Sequence, residues 1–132
     1  AKAAGRGAEL FSYHECCITS YNFLKDLDEQ EIRDLAAEVP SGPYIERLVR
    51  IAGKHDVAVL AGLAEKKSEK LYNTYVCVTG DGPVARARKL HPFISRYLSP
   101  GNEYVLFDLF GCRCGILQLS VTSLTGPRGG AG

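Results

Sequence analysis

The sequence predicts an α/β domain of the layered α+β kind, on three observations. Two helical stripes of apolar residues lie between residues 28 and 53. A near-continuous apolar run, VAVLAGLAE from Val57 to Glu65, follows them and reads as a strand buried on both faces. Further β-rich segments come after it, separated by short polar turns. Helices interleaved with buried strands pack as layers around a core, and 132 residues suit one domain.

Taken in order, Ala1 to Gly7 reads as the last turn of a helix, ended by Gly5 and Gly7. AELFSYHE, Ala8 to Glu15, is rich in apolar and aromatic residues and reads as a strand. Asp28 with Glu31 three residues later resembles a capping box, and Ile32, Leu35, Ala36 and Val39 follow as a helical stripe. Ser41 is the expected cap of a second helix, with Pro43 in its first turn and Gly53 closing it. Ile45, Leu48, Val49 and Ala52 form its apolar stripe. After the buried strand and a KKSEK turn, LYNTYVCVT (Leu71 to Thr79) and VARARKL (Val84 to Leu90) flank GDGP as a hairpin. HPFISRYLSPGNE is a loop, and YVLFDLFGCRCGIL, Tyr104 to Leu117, reads as two strands broken near Gly111. The tail from Ser120 has no periodicity and a glycine-rich end, so residues 118–132 are expected to form a divergent, poorly ordered segment.

Composition excludes several classes. Apolar residues make up 45% and charged residues 23%, with a net charge of +1, so nothing in the bulk balance favours nucleic acid or an anionic membrane. No apolar run approaches the roughly 18 residues of a membrane span, and no signal-peptide pattern opens the chain. The chain contains no Met, and Ala1 reads as the interior of a longer protein. The cysteines, Cys16, Cys17, Cys77, Cys112 and Cys114, are odd in number and spaced as CC and CxC. That pattern suits neither a secreted disulfide scaffold nor a zinc knuckle. Reduced, packed thiols in a cytoplasmic protein are expected.

Motifs carry the reading further. GAELFSYHECCITSYNF resembles the first signature of the nitrilase, or carbon–nitrogen hydrolase, superfamily, in which a strand leads to a catalytic Glu and then a Gly-Tyr turn. VAVLAGLAEK, LYNTYVCVTG and DGPVARARKLHPF resemble its central segment, ending in Arg88, Lys89 and His91. SPGNEYVLFDLFGCRCGIL resembles the approach to the nucleophile. Three ordered signatures are far more specific than one. The resemblance covers residues 1–117 and implies a partial α-β-β-α sandwich, lacking the first strand upstream of Ala1 and the elements that complete the sandwich.

The implied chemistry is attack of a thiolate on an amide, carbamoyl or nitrile carbon, with no cofactor and no metal. The resemblance assigns the base to Glu15, the oxyanion-holding cation to Lys89, and a second glutamate to Glu103. Read singly, Glu15 is a solvated carboxylate, Lys89 part of an exposed basic edge, and Cys16 and Cys17 packing residues. His14 and His91 read as loop histidines. Two positions depart from the family: His14 replaces the usual Pro and Ser20 the usual Gly. Ser20 must therefore accept the backbone angle that Gly served.

The pattern places the nucleophile at position 119, which is Leu119. Cys114 is five residues away, on the opposite face of a strand and about 16 Å distant, and Cys112 is further still. The sequence thus implies an incomplete hydrolase domain over 1–117 that keeps base and lysine and lacks the nucleophile. Its expected partner is a small amide or carbamoyl substrate, with no nucleic acid and no membrane, and a homo-oligomer is left open. The alternative is a non-catalytic interaction module or pseudoenzyme.

Overall fold

The computed structural model describes residues 1–118; position 119 and the tail expected beyond it lie outside the described residues. The chain folds as β1 (Leu10–Ser12), α1 (Glu29–Leu35), α2 (Pro43–His55), β2 (Ala58–Lys67), β3 (Lys70–Thr79), β4 (Gly82–Arg88), β5 (Val105–Leu109) and β6 (Cys112–Ile116). Short 3-10 turns cover Ala4–Arg6 and Asn22–Asp26. The first four strands form one sheet in the order β1-β2-β3-β4, and β5 and β6 form a separate hairpin. β1 runs parallel to β2, while β3 and β4 pair antiparallel in succession. The layered α+β expectation is met.

Strand alternation sorts the core. Val57, Val59, Leu63, Val76 and Val78 pack with Ile45 and Ala52 of α2 on one face of the sheet. Ala58 and Cys77 pack with Phe107 and Leu109 of the hairpin on the other. The result is a helix layer, a four-stranded sheet and a second, two-stranded layer. β2 is buried along nearly its whole length, as its apolar run requires.

Several local expectations shift. The Asp28–Glu31 capping box forms, with both reciprocal bonds at 2.8 Å. The helix nevertheless stops at Leu35, because the next residues are drawn to β2: Ala37 N–H donates to Ala64 O at 2.9 Å, and Lys66 N–H donates to Ala37 O at 2.8 Å. Ala36 thus packs from extended backbone and Val39 from a bend, not from a helix. Gly42, not Ser41, is the cap of α2, and Pro43 stands inside the first turn. Gly53 does not close α2. The helix runs on to His55 and ends at Asp56 in the left-handed conformation. Gly53 serves instead as a contact with the β3–β4 turn, where a Cβ on Gly80 would lie 2.7 Å from the Gly53 Cα. The first strand keeps only Leu10–Ser12 of the expected Ala8–Glu15, so Glu15 lies in a turn beyond it.

Candidate functional site

Glu15 and Lys89 reach the same spot from the two outermost strands of the sheet. β1 and β4 are not neighbours but are separated by β2 and β3. Both run in the same direction, so their C-terminal ends open on the same end of the sheet. The gap is closed in two ways. After β1 the chain crosses the face of β2 at Gly62, where a Cβ would lie 2.3 Å from the Cys16 backbone nitrogen. From the other side, Lys89 N–H donates to Asn73 O at 2.8 Å, continuing the β3–β4 ladder by one residue. Lys89 therefore points to the face opposite that of Arg88, where its long side chain meets Glu15 at 2.6 Å, Nζ to Oε1.

The pair is unevenly buried. The Lys89 side chain is 1% exposed and that of Glu15 28%. The Lys89 ammonium also lies 5.9 Å from the Tyr21 ring centre and 5.4 Å from that of Phe93, within reach of both ring faces. Burial, then the Glu15 charge and the neighbouring Cys16, raise the Tyr21 hydroxyl above its ordinary range. Asn73 donates from Nδ2 to the same Glu15 oxygen that Lys89 holds. Sequence reasoning did not single out Asn73; the only clue was its place inside an otherwise apolar and aromatic strand. Ser20 sits at φ 67°, so it does occupy the left-handed region in the turn after Glu15.

A cavity of about 330 Å³ opens beside Glu15, walled by Ser12, Leu60, Tyr75 and the end of the hairpin from Gly115 to Gln118. The Tyr75 hydroxyl donates to Tyr13 O, so its oxygen accepts from Ser12 Oγ at 2.8 Å. Neither Cys112 nor Cys114 lines this cavity. Cys114 packs between the layers with Cys77. Cys16 is fully buried, donates to Asn73 Oδ1 at 3.4 Å, and is pushed up to about 12 by burial and by the Glu15 charge. It remains a thiol and packs, as expected.

Glu103 is exposed in the loop before β5 and is not part of the Glu15–Lys89 pair. It borders a narrow cleft with Arg88, Lys89, Leu117 and Gln118. Gln118 Nε2 donates to Ala87 O at 2.9 Å, tying the end of the hairpin to β4.

Arg86 and Arg88 do not form an exposed basic edge. Both turn to the helix face and meet Glu65, whose side chain is fully buried: Arg88 Nη2 at 2.7 Å, Arg86 Nη1 at 3.3 Å. Thr74 Oγ1 donates to Glu65 at 2.6 Å, and the Arg88 guanidinium stacks 3.8 Å over the Tyr72 ring. Burial alone would raise the Glu65 carboxyl. The hydrogen bonds from Arg88 and Thr74, with the charges of both arginines, outweigh it and hold the group below its ordinary value. Glu65 was not picked out from the sequence, because nothing local marks a carboxylate inside a strand as buried.

Residues 1–125 match the family model of the carbon-nitrogen hydrolases. The chain belongs to this family. It is 31% identical over 119 residues to a nitrilase of Pyrococcus abyssi (strain GE5 / Orsay), covering 88% of this chain and 44% of that protein. It is 31% identical over 128 residues to the omega-amidase NIT2 of Bos taurus, covering 87% and 44%. Its fold resembles Saccharomyces cerevisiae Nit3, a nitrilase-superfamily member, with a TM-score of 0.70 at 23% identity over 86% of this chain and 44% of that one. The chain thus spans less than half the length of these carbon–nitrogen hydrolases. Among the described residues, no helix is long and apolar enough to cross a membrane.

Proposed function

We propose that this chain carries the base and the cation of a hydrolase that cleaves a small amide or N-carbamoyl substrate through a cysteine thioester. The observation that supports this most is the 2.6 Å pair of Glu15 and Lys89 beside a cavity of about 330 Å³. In this reading Glu15 takes the proton of the attacking thiol as sulfur bonds to the carbonyl carbon. The Lys89 ammonium stands by the oxygen that becomes negative, an interaction worth about 10²–10³ in rate. Collapse of the adduct expels the amine, which leaves with the proton from Glu15. Water, deprotonated by Glu15, then cleaves the thioester and releases the acid and the thiol. Glu103, at the mouth of the cleft beside Lys89, is proposed as the second carboxylate.

The signature order assigns the nucleophile to position 119, where this sequence has Leu119. The chain as it stands is therefore proposed to be inactive, since losing one member of a group that acts as a unit costs on the order of 10⁶ in turnover. Ammonia release from a panel of small amides and carbamoyl compounds tests this. Background release is expected from the chain itself and from Leu119→Cys alone. Turnover is expected when the cysteine is restored with a family-like continuation, and Glu15→Gln or Lys89→Ala then removes most of it. Release by the unmodified chain that disappears on mutating Cys112 or Cys114 overturns the assignment of position 119.

One observation favours a second reading, a non-catalytic interaction module. Tyr104, Leu106, Phe110 and Leu117 stand exposed on and around the β5–β6 hairpin, and exposed apolar clusters mark binding surfaces. Sedimentation of a monomer at all concentrations, with no change on Leu106→Glu, counts against self-association through this hairpin.

A further inference from the structure

We infer that Asn73 is a positioning residue that locks the Glu15 carboxylate in one orientation and leaves Oε2 as its proton-accepting oxygen, an inference that rests on the proposed role of Glu15 as base. Asn73 lies buried on β3, opposite Ala64 of β2. It touches everything that matters here. Nδ2 donates to Glu15 Oε1, Oδ1 accepts from the Cys16 thiol at 3.4 Å, and the backbone carbonyl accepts the Lys89 N–H at 2.8 Å.

Glu15 needs such a hold. It lies in a turn past the end of β1, with no place in the strand ladder to fix its direction. Freezing a long glutamate side chain in one rotamer costs conformational entropy that a directed contact must offset. The Lys89 ammonium is a compact charge with rotatable donors, so it fixes a distance but not the plane of the carboxylate. A second donor, from a different strand and aimed at the same oxygen, fixes the direction. Lys89 and Asn73 both converge on Oε1, which leaves Oε2 for the proton.

The chemistry also explains why the residue is an amide. A carboxylate only accepts, so the NH₂ end of Asn73 must face Glu15, and the carbonyl end must then face a donor. Cys16 supplies that donor, because burial and the Glu15 charge keep its thiol protonated. Asp at position 73 would oppose two acceptors and two negative charges.

NMR of the isotopically labelled full chain tests this without turnover. Side-chain couplings of Glu15 are expected to report a single rotamer in the unaltered chain, averaging in Asn73→Ala and Asn73→Asp, and a single rotamer again in Cys16→Ser. One Asn73 amide proton is expected to exchange more slowly than its partner, an asymmetry that Glu15→Ala removes. A Glu15 rotamer unchanged in Asn73→Ala, with the backbone spectrum preserved, overturns the inference. If Asn73→Ala does not fold, an Asn73 amide that is indifferent to Glu15→Ala overturns it equally. Failure here leaves Glu15 as base without this support. Turnover of the restored enzyme that survives Glu15→Gln would instead remove the base and leave the hydrogen bond standing.

Discussion

Lys89 Nζ lies 2.6 Å from Glu15 Oε1 although their strands stand at opposite edges of a four-stranded sheet. The pair is a buried ammonium held by a half-open carboxylate. Glu15→Gln removes the countercharge and leaves the ammonium among Tyr21 and Phe93. The expected cost is about 2–3 kcal/mol, below that of a fully buried pair because Glu15 is partly solvated. Urea unfolding of the variant measures it; an unchanged midpoint would show that the pair contributes nothing to the fold.

Gly62 is the point where the Glu15–Cys16 backbone rests on the sheet. Gly62→Ala places a methyl group 2.3 Å from the Cys16 nitrogen, so backbone rather than a flexible side chain must move. Overpacking of this kind costs about 1–3 kcal/mol. The shift should also break the Glu15 bonds to Lys89 and Asn73, visible as loss of the Asn73 amide asymmetry. A variant with full stability and an intact asymmetry would refute the close approach.

Glu65 links stability to acid. Its carboxyl is held below its ordinary value in the fold, so the folded state binds this proton more weakly than the unfolded chain does. The stabilisation is complete above the unfolded carboxylate value of about 4.3 and is lost as pH falls through the lower, folded value. Glu65→Gln should flatten that part of the acid unfolding curve. It also leaves Arg86 and Arg88 without their carboxylate, at a cost nearer the low end of about 3–5 kcal/mol because both arginines are partly exposed. Parallel curves for the two proteins below pH of about 4 would exclude the linkage.

The cysteines should separate by reactivity. Cys16 is pushed up to about 12 and Cys77 to about 11, each chiefly by burial, whereas Cys112 is exposed. Alkylation at pH 8, read by mass spectrometry, should label Cys112 first and leave Cys16 and Cys77 until denaturant is added. Early labelling of Cys16 would contradict the full burial of its thiol.

Ser20 occupies φ 67° in the turn that follows Glu15. The left-handed region costs a residue with a Cβ about 1–2 kcal/mol, while glycine loses about 0.5–1 kcal/mol more backbone entropy. Ser20→Gly should therefore stabilise the chain by up to about 1 kcal/mol. Thermal unfolding at matched pH decides it, and a lowered midpoint would mean that the Ser20 hydroxyl makes a compensating bond.

Some of this was written locally. The Asp28–Glu31 cap, the buried run of β2 and the alternation that puts Arg88 and Lys89 on opposite faces depend on residues close in sequence, and near neighbours set helix caps and strand parity whatever the rest does. The ordered signatures likewise named Glu15 and Lys89 as residues to watch. What the chain could not state locally is who meets whom across the sheet. Sheet order separated β1 from β4, so only a crossing at Gly62 brings Glu15 to Lys89. Register set Asn73 beside Ala64 and next to Lys89, and it turned Arg86 and Arg88 onto Glu65. Pairing with β2 also ended α1 early and made Gly53 a packing contact instead of a cap. Each of these outcomes depends on backbone hydrogen bonds or contacts between residues far apart in sequence, which exist only once the layers have packed.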